Sequence, residues 1–107
     1  MTTYVIGDPT TDLTDKSQTL AQGDVLLVTS TGWIVNNQGD GVDAAAGANA
    51  ITIDGSVYNS SAGVVIGNGG TAAAAPTPLV VNGQVEGETG VIVSNAPGSS
   101  VTVGSQG

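Results

Sequence analysis

Two short β-branched segments recur in phase along this chain, and that recurrence constrains the fold more than any other feature. Ile51-Thr52-Ile53-Asp54-Gly55-Ser56-Val57, Leu79-Val80-Val81-Asn82-Gly83-Gln84-Val85 and Val101-Thr102-Val103-Gly104-Ser105 form one series. Thr31-Gly32-Trp33-Ile34-Val35-Asn36-Asn37, Ala62-Gly63-Val64-Val65-Ile66-Gly67-Asn68 and Thr89-Gly90-Val91-Ile92-Val93-Ser94-Asn95 form a second. Its members read small residue, Gly, three apolar residues, spacer, Asn. Their glycines stand 31 and 27 residues apart, and the two series alternate. A fixed period of this size marks stacked units, each too small to bury its own apolar face.

Asp54-Gly55 and Asn82-Gly83 fall at the same place in successive units, where a corner needs positive φ or local side-chain hydrogen bonding. Taken singly, each is also a hairpin turn, and a chain of hairpins would give a β-sandwich of about seven strands. Recurrence in phase favours the coil, because only there must equivalent residues lie above one another. The expectation is an all-β fold: a short parallel β-solenoid, or β-helix, of about three rungs. It covers residues 23–107, after an N-terminal strand and linker arm over 1–22. Ile51, Ile53, Leu79, Val81, Val101 and Val103 then stack inward, and Thr52, Val80 and Thr102 face out.

Composition narrows the functional classes. Lys16 is the only cation among the 107 residues, against nine Asp and Glu, so the formal net charge is −8. Such a chain cannot neutralise phosphates, and nucleic acid is excluded as a main partner. With no histidine, cysteine or arginine it lacks the parts for Ser/His/Asp or Cys/His nucleophiles, structural zinc and guanidinium clamps. Glu86 and Glu88 share one strand face, whereas glycoside cleavage needs carboxyls opposed across a substrate. No enzyme activity is expected. No apolar run approaches the roughly 20 residues of a membrane-spanning helix, and Met1-Thr2-Thr3-Tyr4 has neither the basic nor the apolar region of a cleavable signal peptide.

The rungs built on Ile51–Val57 with Ala62–Ile66, and on Leu79–Val85 with Thr89–Val93, resemble those of bacterial secreted parallel β-helices: autotransporter passenger domains and filamentous adhesins of the haemagglutinin type. That resemblance implies an extracellular or cell-surface setting.

Acidic residues are the remaining candidates for chemistry. Gly39-Asp40-Gly41-Val42-Asp43 is similar to the Gly- and Asp-rich calcium turns of secreted repeat proteins, which makes Asp40 and Asp43 candidate calcium ligands. A solvated turn is the competing reading, since the motif does not recur on the next unit. Asp8, Asp12 and Asp15 form a second acidic patch. Insertions at Gln38–Ala50, Gly69–Pro78 and Ala96–Ser100 follow the second-series asparagines and would emerge along one edge of the coil.

A coil exposes unpaired backbone and core side chains at both ends. Val101-Thr102-Val103 at one end, and Tyr4-Val5-Ile6 as a strand able to cross to a neighbour, are the candidate assembly interface. In one phase of the second series Trp33 faces in and Ile34, Val65 and Ile92 form an outward apolar row for lateral contact. In the other phase Trp33 faces out. The expected function is a structural subunit whose partner is itself, assembling head to tail into an extracellular filament such as a surface or biofilm-matrix fibre. An adhesive or calcium-responsive binding module of a larger secreted protein is the alternative.

Overall fold

A computed structural model describes residues 2–7, 13–67 and 75–104. Its described strands are all parallel and wind as a β-solenoid of about four turns. The first turn holds β1 (Thr3–Ile6), β2 (Leu13–Thr14) and β3 (Gln18–Thr19). The second holds β4 (Val25–Val28), β5 (Trp33–Asn36) and β6 (Val42–Ala44), and the third β7 (Ala50–Ile53), β8 (Ser56–Asn59) and β9 (Ala62–Gly67). Then come β10 (Pro78–Val81), β11 (Gln84–Glu86) and β12 (Thr89–Ser94), and β13 (Ser100–Val103) opens a fifth layer.

Each strand pairs with its counterpart one turn away, which generates three sheets. Sheet A has five strands in the order β1-β4-β7-β10-β13; sheet B runs β2-β5-β8-β11 and sheet C β3-β6-β9-β12. Leu26, Ile51 and Leu79 stack in one register column of sheet A, and Val28, Ile53 and Val81 in a second. All six are buried. Ile34 and Val57 fill the sheet B side, and Val42, Val64, Ala44 and Ile66 the sheet C side. Branched aliphatic side chains suit these columns, because a fixed χ1 lets identical shapes stack at the rung spacing of about 4.8 Å.

Corners make this winding possible. At the A-to-B corner Gly32, Gly55 and Gly83 lie one above another. A Cβ on Gly55 would fall 2.2 Å from the Gly32 carbonyl oxygen, and one on Gly83 would fall 2.0 Å from that of Gly55. Only hydrogen fits in that space. A polar ladder marks the C-to-A corner, where Asp24, Asn49, Thr77 and Ser99 stand before β4, β7, β10 and β13. Asn49 N–H donates to Thr77 Oγ1 at 3.4 Å, and Thr77 N–H donates to Ser99 Oγ at 3.0 Å.

Two expectations change. The segment over 1–22, read as an arm, contributes a turn of its own: β1 pairs with β4 from Thr3↔Val25 to Ile6↔Val28, and Leu13 and Gln18 register with Ile34 and Val42. That turn raises the rung count from about three to about four. Gln38–Ala50, read as an insertion, carries β6, whose Val42 and Ala44 are fully buried. Within the insertion Gly69–Pro78, residues 69–74 lie outside the described residues, as do Asp8 and Asp12 of the second acidic patch.

Candidate assembly ends

Exposed large apolar side chains concentrate at the C-terminal end of the coil, whereas Ile6 and Leu20 in the first turn are buried. At the C-terminal end Val101 and Val103 continue the two inward columns of sheet A; they are 44% and 62% exposed, while Leu79 beneath Val101 is 0% exposed. Beside β13, above β11 and β12, lies a hollow of about 480 Å³ lined by Val81, Val85, Val91, Val101 and Val103 together with residues of the rung below. Val93, which continues the column of Ala44 and Ile66, is also exposed.

At the opposite end Tyr4 and Ile6 head the inward columns of sheet A, Leu13 heads that of sheet B, and Gln18 registers with Val42 in sheet C. Tyr4 and Leu13 are half-buried against the core, as Val85 and Val91 are at the far end. Because β1 and β13 are the two outermost strands of the same sheet, each keeps one edge without a strand partner among the described residues. The assembly residues read from the sequence, Tyr4, Val5, Ile6, Val101, Thr102 and Val103, therefore sit at opposite ends of one sheet. Tyr4-Val5-Ile6 is not held apart for exchange, since it pairs with its own chain's β4. Val85, Val91, Val93, Leu13 and Gln18 were not singled out as end residues; their signal is the register, which places them in the last and first layers.

The lateral row does not form. Ile34 is 0% exposed and stacks on Val57 inside sheet B, whereas Val65 and Ile92 face outward from sheet C and pair with each other. Trp33 takes the outward phase at 40% exposure. The neighbour of Val65 on the other side is Asp43, so the outward column of sheet C passes from apolar to charged.

Asp40 and Asp43 both lie near the B-to-C corner. Asp40 Oδ1 accepts the Ala62 N–H at 3.1 Å, and its carbonyl accepts the Ser17 hydroxyl at 2.6 Å and Asn36 Nδ2 at 2.9 Å. These bonds stitch the first, second and third turns together. Burial, reinforced by the charge of Asp40, raises the Asp43 carboxyl above its ordinary value. Among the described residues no three His, Cys, Asp or Glu side chains gather as a metal would require. Asp15 stands on the first turn with a positive φ of 58°.

Compared with known proteins, the chain matches no family model, no curated protein and no solved structure.

Proposed function

We propose that this protein is a structural subunit that stacks end to end with copies of itself into an extracellular filament. The observation that carries this reading is the exposure of core columns at the β13 end, where valines that would be buried in any middle rung face open space. Apolar side chains and unpaired strand edges coincide there, and both are satisfied by the matching end of a second copy. Contact between unlike ends does not close on itself, so it propagates. The likeness of the rungs to those of autotransporter passengers and haemagglutinin-type adhesins supports the extracellular setting.

The test is electron microscopy and light scattering of the purified 107-residue chain over a concentration series, with and without a calcium chelator. Filaments that appear above a threshold concentration and ignore the chelator are expected. A chain that stays monomeric throughout overturns the reading, and one whose melting temperature falls on chelation favours the calcium-responsive module instead.

A further inference from the structure

The ends of the coil are stepped, and the step decides how a second copy can fit. Among the described residues sheet A has five strands where sheets B and C have four, so β13 stands one layer proud of β11 and β12. The valine-lined hollow occupies the missing layer.

A second copy placed sheet A upon sheet A would pair its β1 with β13 alone. Its β2 and β3 would then hang about 9–10 Å above β11 and β12, twice the strand spacing, leaving two edges unpaired around an apolar void. Rotating the incoming copy by one sheet removes the mismatch. β1 then lies on β11, β2 on β12 and β3 on β13, so all three edges find partners. Tyr4 and Leu13 of the incoming copy descend on Val85 and Val91 in the hollow, and Gln18 continues the column of Val101.

Resting on the end-to-end reading above, we infer that successive subunits are turned by one third of a revolution, the β1–β3 end of each copy engaging β11–β13 of the one before. Thirteen strands over three sheets then advance the filament by about 21 Å per subunit, against about 24 Å without rotation.

Outward threonines make the arrangement measurable, because the chain has no cysteine of its own. In the rotated stack Thr19 of one copy lies over Thr102 of the one before, whereas in the unrotated stack Val5 lies there. All three side chains are exposed. Neighbouring parallel strands fall within the Cα separation that a disulfide spans. Thr19→Cys with Thr102→Cys in one chain is expected to give a ladder of disulfide-linked oligomers on mild oxidation, and Val5→Cys with Thr102→Cys to give none. The reverse result, or filaments that cross-link through neither pair, overturns the rotation while leaving the filament reading intact. Absence of filaments in the unsubstituted chain removes both. Helical reconstruction from micrographs reads the same rotation and rise without any substitution.

Discussion

Asn49 reaches back one turn and holds Asp24 by its backbone: Asn49 Nδ2 donates to the Asp24 carbonyl at 2.9 Å, and also to the Ala21 carbonyl at 2.8 Å. The Asp24 carboxylate in turn accepts the N–H groups of Thr2 and Ala21, both at 2.8 Å. Asp24 and Asn49 are both almost fully buried. A corner that would leave backbone groups unpaired in the interior is thereby closed by side chains, which is what permits the chain to leave sheet C and re-enter sheet A.

Asn49→Ala should therefore cost about 1–3 kcal/mol, since it removes the side-chain donor that bridges two carbonyls at this corner and leaves them only the backbone N–H groups of Asp24 and Ala50, at 3.1 and 3.4 Å. Asn49→Asp should cost more, because it replaces the donor with a charge facing two carbonyl oxygens. Denaturant unfolding followed by far-UV circular dichroism checks both, and the expected order is wild type, then Ala, then Asp.

The glycines separate into those that must lack a Cβ and those that need not. Gly55→Ala places a methyl 2.2 Å from the Gly32 carbonyl oxygen and 2.3 Å from that of Thr29, so the rungs must part. A loss of about 1–3 kcal/mol or more is expected. Gly90→Ala meets nothing nearer than the Val85 carbonyl oxygen at 4.0 Å and should change stability by less than about 0.5 kcal/mol. Thermal melts of the two variants at a concentration below assembly provide the comparison.

The β7, β10 and β13 part of sheet A was legible in the sequence because those strands carry the plain alternation: Ile51, Leu79 and Val101 register as the repeat implies, and so do the corners, with Asn82 Nδ2 donating to Asp54 Oδ1 at 2.9 Å. The second series was harder. Ala62–Gly67 and Thr89–Ser94 do stack, but Thr31–Asn37 belongs to a different sheet. Two kinds of corner glycine followed by apolar residues look alike locally. Gly32 is equivalent to Gly55, whereas the counterpart of Gly63 is Gly41, followed by Val42-Asp43-Ala44. An outward Asp43 hides that strand from any search for apolar triplets. The first turn escaped for another reason: Leu13–Thr14 and Gln18–Thr19 are two residues each, too short to show a period.

The misassigned strand yields a direct test of phase. Ile34 is wholly buried and Trp33 beside it faces outward, so Ile34→Ser should cost about 2–5 kcal/mol and Trp33→Ser less than half as much. Trp33 is the only tryptophan, so its fluorescence reports the unfolding of the Ile34→Ser chain without interference. Circular dichroism serves for Trp33→Ser. Equal losses, or a larger loss for Trp33, would mean that β5 sits in the opposite phase.

Asp43 gives the fold a dependence on pH whose sign follows from its surroundings. Burial first, and the nearby Asp40 second, raise its carboxyl above the ordinary value of 3.8. A carboxyl with a raised value binds its proton more tightly in the fold than in the unfolded chain, so its favourable contribution is complete below 3.8 and disappears as pH rises through the folded value. At neutral pH the ionised group opposes folding. Asp43→Asn should therefore raise the melting temperature at neutral pH and leave it unchanged below 3.8. Asp40→Asn removes the second cause while its Oδ1 can still accept the Ala62 N–H, so part of the same gain should appear. Melting curves across the acidic range decide the matter: a benefit from Asp43→Asn that persisted under acid would come from packing rather than from charge.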